Sequence, residues 1–150
     1  MRLWHKDLID VLPRKQLIAQ WRECCAIASN IAKNGTPNHI LVNVMLDYGS
    51  YNFIIYTNMI LKEMHRRKYK INETSYLNFC KNMEVASQYF SQDDIPSVSK
   101  EIYKDWHNRR YLKQCYYNLQ EKYDRGMITS NEFQLIEDKY ESLMLDEIVN

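Results

Sequence analysis

The chain has 150 residues, 45% hydrophobic and 26% charged, with only three glycines and three prolines. That is enough chain to bury a core, and so few turn formers argue against an all-β fold. The net charge of +1 hides an asymmetry: residues 1–75 carry eleven Lys/Arg against six Asp/Glu, and residues 76–150 nine against thirteen. A basic half of this kind is suited to an anionic partner.

In chain order, a short arm carrying Arg2 and His5 leads through Pro13 into a first helix running to about Lys33. Pro13 fits the first helical turn and Gly35 the stop. Leu17, Trp21, Cys24, Ala28 and Ile31 recur at helical spacing as one apolar stripe, and Gln16, Glu23 and Asn30, seven apart, line its polar edge. A second helix is expected from Thr36, as cap, through Pro37 to about Asp47. After Gly49-Ser50 a third should run to about Arg67, with Phe53, Tyr56 or Thr57, Ile60, Leu61 and Met64 inward. Its basic end (His65, Arg66, Arg67, Lys68) suits a helix C-terminus.

A weaker helix is expected over Ser75 to Phe90, through Tyr76, Phe79, Cys80 and Met83, followed by a polar loop from Ser91 to Ser99. The rest reads as a hairpin of two helices. One arm spans about Lys100 to Asp124 and is stopped by Gly126, and Thr129 with Glu132 forms a capping box for the other. Tyr103, Trp106, Tyr111, Tyr116, Tyr117, Tyr123 and Tyr140 are read mostly as packing residues. The fold class is therefore all-α: a compact single-domain helical bundle over 1–150, with a core over 1–96 and a helical hairpin extension over 97–150.

Several chemistries are absent from the sequence. There is no phosphate-cradling glycine loop, no H-E-x-x-H and no EF-hand loop. His5, His39, His65 and His107 are dispersed, so no metal is expected. Cys24, Cys25, Cys80 and Cys115 show no C-x-x-C spacing and read as reduced, mostly buried thiols. No apolar run approaches a membrane span and no secretory leader is visible, so a cytoplasmic monomer without organic cofactor is expected.

What remains is the chain start and the first helix: Met1, Arg2, His5, Arg14, Lys15, Arg22 and Glu23, with Asn38 and His39 as neighbours. On residue types alone, Arg22 and Glu23 also fit an ordinary solvated pair. The run Leu17-Ile18-Ala19-Gln20-Trp21-Arg22-Glu23, with Leu8 and Leu12 before it, resembles the opening of the pyrimidine dimer DNA glycosylase family, typified by phage endonuclease V. The run from Ile60 through Glu63, Met64, His65, Arg66, Arg67, Lys68 and Tyr69 is similar to that family's third-helix ending. Met1 to His5, Leu12 to Leu17, Gln20 to Cys24 and Asn38 to Asn43 look like a bacterial and phage branch of it. The resemblance covers roughly residues 1–72; the hairpin has no counterpart in it.

This resemblance implies an all-α DNA glycosylase with AP-lyase activity, acting on pyrimidine dimers or another modified base in double-stranded DNA. An N-terminal α-amine would attack C1′ and form an imine, with Glu23 as the catalytic carboxylate. As a class, α-amines titrate at about 7.7–8.0, well below lysine, so a useful fraction is nucleophilic near neutrality. Family members expose a small residue after loss of methionine, whereas residue 2 here is arginine. Aligning Met1-Arg2-Leu3 with their first three mature residues makes the amine that of Met1. Arg2 and Arg22 match arginines of the family, and DNA contacts are expected from Arg2, His5, Arg14, Lys15, Arg22 and His39. The alternative is a non-catalytic helical DNA-binding or protein-interaction protein on the same scaffold.

Overall fold

In a computed structural model of the protein, residues 1–91 and 102–149 are described, with side chains through 146. The loop expected over 92–99 and Lys100 lie outside them. Among the described residues the regular structure is helical, with one isolated bridge between Gly49 and Ser91.

Helix α1 spans Arg14–Asn34. Pro13, with φ −58° and ψ 157°, caps it rather than entering it. Gly35 ends it at φ 76°, a left-handed conformation that a Cβ would strain. The expected stripe is buried, joined by Ile27 and by one polar residue, Gln20.

The helix expected over Thr36 to Asp47 is replaced by a turn and a short 3₁₀ segment, Asn43–Asp47. Asn38 is left-handed at φ 58°, the Thr36 hydroxyl accepts from the Asn38 N–H at 3.1 Å, and Asn43 Oδ1 accepts from the His39 N–H at 3.0 Å. These side chains capture amides that a helix would have used, a competition typical of Thr and Asn.

Helix α2, Ser50–Arg66, buries Phe53, Tyr56, Thr57, Ile60 and Met64 as expected, while Leu61 is only half-buried. Its basic end is more than a dipole effect. Arg67 bonds Glu63 at 2.7 Å and reaches back to the carbonyls of Leu12 at 2.7 Å and Asp10 at 3.1 Å. Burial pushes the Glu63 carboxyl up, but its bonds from Arg66 and Arg67 outweigh that and hold it below its ordinary value.

Helix α3 covers Glu73–Ala86, opened by Asn72, whose side chain accepts from the Ser75 N–H at 3.0 Å; a 3₁₀ turn, Ser87–Tyr89, follows. Phe79, Met83 and Phe90 are buried, but Tyr76 and Cys80 are exposed, contrary to expectation. The buried face runs through Phe79, Met83 and Ala86, a narrower stripe than the anticipated one. α1 packs most extensively on α3 and next on α2.

Helices α4, Arg109–Asp124, and α5, Ser130–Val149, form the expected hairpin, but its first arm starts later than Lys100: 102–108 are turns and bends, with Tyr103 left-handed at φ 51°, and the Asn108 side chain caps α4 by accepting from the Tyr111 N–H at 2.9 Å. Gly126 is left-handed at φ 78°. In the capping box the Thr129 N–H donates to Glu132 at 3.0 Å and the Glu132 N–H donates to the Thr129 hydroxyl at 3.2 Å. Stacked aromatics close the hairpin, with ring centroids at 3.9 Å for Tyr116–Tyr140 and 4.6 Å for Tyr123–Phe133. Of Tyr103, Trp106, Tyr111, Tyr116, Tyr117, Tyr123 and Tyr140, Tyr117 is the one left exposed. α5 also packs on a 3₁₀ segment, Lys6–Val11, that follows the arm. Cys24 and Cys115 are buried, Cys25 half-buried and Cys80 exposed, all as free thiols. No helix among the described residues is long and apolar enough to cross a membrane.

Candidate active site

The arm before Lys6 has no regular structure, and its backbone polar groups are satisfied by side chains instead. Gln20, fully buried on α1, accepts from the Trp4 N–H at 2.7 Å and donates its amide to the Arg2 carbonyl at 3.0 Å. Tyr56 of α2 places its hydroxyl 2.6 Å from the Trp4 carbonyl and 3.0 Å from Gln20 Oε1. From the other side, Tyr111 of α4 donates to the Leu3 carbonyl at 2.5 Å. Leu3 and Trp4 are buried between these supports. Buried backbone groups need such partners, and here the partners fix the arm's register.

At the arm's end is a small cleft of about 240 Å³, walled by Met1, Arg2 and Trp4 of the arm, Glu23 of α1, Leu41 of the turn, and Asn118 and Lys122 of α4. Larger grooves run between α2 and α3, lined by residues such as Tyr51, Tyr76 and Cys80, but the α-amine of Met1 lines neither. Glu23 is half-buried, and Gln20 Nε2 donates to its Oε2 at 3.1 Å. Burial raises the Glu23 carboxyl above its ordinary value. The N-terminal amine, the Arg2 backbone N–H, the Gln20 amide and His39 all pull the other way. Amine and carboxylate therefore act on one another across the same cleft. The Arg2 guanidinium lies 5.5 Å from the centroid of the Trp4 ring.

Residues 1–77 match the pyrimidine dimer DNA glycosylase family. The chain belongs to that family. Membership gives it a pyrimidine dimer glycosylase type of function, with DNA as the substrate. No curated protein matches the chain, and no solved structure does. The glycosylase match takes in the arm, α1, α2 and the start of α3, so one wall of the cleft lies inside it and the α4 wall outside.

Of the site residues predicted for this glycosylase, Met1, Arg2 and Glu23 line the cleft, and His39 is near enough to influence Glu23. Arg22 and Lys15 are solvent-exposed and, seven residues apart, share one face of α1. Arg14 lies elsewhere, its guanidinium 4.5 Å from the centroid of the Tyr69 ring, beside Arg66 and Arg67. Asn38 is exposed in the left-handed turn.

His5 requires a correction, because it is 2% exposed and so is not on a surface that DNA would meet. Its Nδ1 accepts from the Asp7 N–H at 3.1 Å, which leaves Nε2 to donate to the His107 carbonyl at 3.0 Å. His107 Nδ1 in turn accepts from the Lys6 N–H at 2.9 Å. This pair fastens the arm to the turn before α4, and burial lowers the pKa of both rings.

Sequence reasoning missed Gln20, Asn118 and Lys122. Gln20 stands three residues before Glu23, on the same helical edge, and that spacing was a usable signal. Asn118 and Lys122 had none, since only the fold brings α4 to the arm. Among the described residues no group of three or more His, Cys, Asp or Glu could hold a metal ion.

Proposed function

We propose that the protein is a DNA glycosylase/AP lyase that uses the α-amine of Met1 as nucleophile and Glu23 as its catalytic carboxylate. The observation that carries this reading is the shared cleft, with the Met1 amine felt by a half-buried Glu23 whose orientation Gln20 fixes. The unprotonated amine attacks C1′ of a damaged pyrimidine nucleotide. The C1′–N bond breaks, and the base leaves with its electron pair and takes up a proton. The C1′–O4′ bond then breaks and O4′ takes up the proton that the amine gives up, which leaves a protonated C1′ imine. Loss of a C2′ proton, accepted by Glu23, then expels the 3′ phosphate by β-elimination and nicks the strand.

A carboxylate in a partly desolvated site is a strong stabiliser of the cationic sugar. Its raised pKa also makes it a better proton acceptor than an ordinary surface glutamate. The nucleotide must leave the stack to reach a cleft this small. The phosphates around it would be gripped by Arg2, by Lys15 and Arg22 on the open face of α1, and by Arg14 further along, with His39 beside the cleft.

The test is borohydride trapping on a DNA duplex with one abasic site, using protein that begins at Met1. A covalent adduct at the Met1 nitrogen, located by peptide mass spectrometry, is the expected result. Adding three residues before Met1 moves the amine by several ångströms and should reduce trapping at least 10²-fold, while DNA binding survives. An extended protein that still traps would move the role to a side-chain amine, Lys6 or Lys15 first. No adduct from either protein would leave the non-catalytic DNA-binding reading.

A further inference from the structure

The turn between α1 and α2 carries the least covered large apolar side chain among the described residues. Ile40 is 87% exposed, and the next, Leu135, is 59% exposed. Isolated exposed aliphatics are ordinary on a protein surface, but this one is held in place. Pro37 and Val42 are buried on either side of it. The Asn30 amide of α1 donates to the Pro37 carbonyl at 3.4 Å, and the Leu41 N–H donates to His39 Nδ1 at 3.2 Å. The His39 carbonyl accepts from the N–H groups of Val42 and Asn43 at 3.0 and 2.9 Å. With Asn38 left-handed at φ 58°, the backbone is fixed on both sides of a side chain left almost wholly in solvent.

Position and charge say what this side chain would meet. Leu41 is a wall of the cleft that holds Met1 and Glu23, so Ile40 stands one residue, about 3.8 Å along the chain, from that cleft. On its other side His39 is near enough to act on Glu23. No Asp or Glu falls between Glu23 and Asp47, so nothing in this stretch repels phosphates. A nucleotide that leaves the stack to enter the cleft opens a gap between its neighbours. An apolar side chain placed in that gap offsets the lost stacking, and Ile and Leu serve so in proteins that kink DNA. A braced side chain also gives up less freedom on insertion than a mobile one.

Resting on the function proposed above, we infer that Ile40 is a wedge that enters the base stack of duplex DNA beside the reacting nucleotide and fills the space it vacates. Leu41 stays behind it at the mouth of the cleft. Ile40 is a positioning residue: it meets the neighbouring bases, not C1′, and takes no part in bond making. Its effect is therefore confined to paired DNA, where there is a stack to open.

The test compares wild type with Ile40→Ala, Ile40→Gln and Ile40→Leu, and with Leu77→Ala on an exposed position of α3 as control. Unstacking is read from the fluorescence of 2-aminopurine placed opposite a tetrahydrofuran abasic analogue in a duplex, and affinity from anisotropy across a salt series. Borohydride trapping rates are read on a true abasic site, in the duplex and in the same strand unpaired. Folding is read by thermal melting and mass in solution by sedimentation. Wild type should brighten the 2-aminopurine. Ile40→Ala and Ile40→Gln should lose most of that rise and should weaken duplex binding and slow duplex trapping by about tenfold. Both should keep the wild-type salt slope, since no phosphate contact is lost, and should trap the unpaired strand at the wild-type rate. Ile40→Leu should restore the fluorescence and the duplex rate, and Leu77→Ala should match wild type. A full fluorescence rise and duplex rate in Ile40→Ala would overturn the inference. So would an equal loss on the unpaired strand, which would make Ile40 structural. A dimer that Ile40→Ala dissolves, with fluorescence unchanged, would give the side chain to a second copy and overturn it too. A wild type that never traps, yet brightens the 2-aminopurine in an Ile40-dependent way, would instead overturn the chemistry and keep the wedge.

Discussion

At the scale of single residues, the proposed reaction gives Glu23 the chemistry and Gln20, which donates to it at 3.1 Å, its placement. Glu23→Gln keeps the volume and the helix while removing the charge, so melting should stay near wild type and strand cleavage should fall at least 10²–10³-fold. A variant that unfolds but retains normal activity per folded molecule would make Glu23 structural. Because burial raises the Glu23 carboxyl, the acid limb of the cleavage rate should lie above the ordinary glutamate value of about 4.3. Gln20→Glu replaces the amide that donates to Glu23 at 3.1 Å with a second carboxylate, and like charges resist joint ionisation. It should move that limb further up, on the order of one pH unit, as read from single-turnover rates between pH 4 and 8. An unmoved limb would show that Gln20 does not govern the carboxylate. Gln20→Ala, which strips partners from the Trp4 amide and the Arg2 carbonyl, should destabilise by on the order of 2–3 kcal/mol in chemical denaturation.

At the scale of elements, α1 presents a cleft edge at Glu23 and an exposed face at Lys15 and Arg22, and the reversal of charge on the second should leave the first standing. Lys15→Glu with Arg22→Glu alters only the exposed face, so DNA affinity should drop for every sequence and the salt slope should flatten by about one per lost phosphate contact. Reversing Lys113 on α4 should do neither; equal sensitivity there would relocate the DNA surface. α1, α2 and the hairpin were legible in the sequence because their signals are local: apolar stripes, the left-handed stops at Gly35 and Gly126, and the Thr129–Glu132 box. The segment 36–47 was not, since Thr36 and Asn43 bond to nearby amides as readily as they would enter a helix. α3 was placed with its core face drawn too wide, because Tyr76 and Cys80 are apolar enough to pass as core while lying on the open side.

At the scale of the whole molecule, the arm's attachment depends on two histidines being neutral. Nδ1 of each accepts a backbone N–H, so protonating either ring at Nδ1 sets donor against donor. Burial lowers both pKa values. A group whose folded pKa is depressed in this sense favours the neutral form, so the stability is present above the unfolded value of about 6.5 and is lost as pH falls below it. Stability should decline from pH 6.5 to 5.5 by up to about 1.4 kcal/mol per pH unit for each suppressed ring. His107→Gln should be less stable at pH 7.5 but flatter across that range in thermal melts. An equally steep fall in the variant would place the acid sensitivity elsewhere. This explains why part of the candidate site was readable and part was not: Met1, Arg2 and Glu23 lie within one short stretch, whereas His107, Tyr111, Asn118 and Lys122 declare nothing until the chain has folded. Tyr111 and Leu3 are 108 positions apart, and His5 and His107 are 102 apart. Closing so long a loop is entropically slow. A chain in synthesis therefore seats the arm late, after His107 and Tyr111 have been made, so shorter chains leave the proposed amine and carboxylate unassembled.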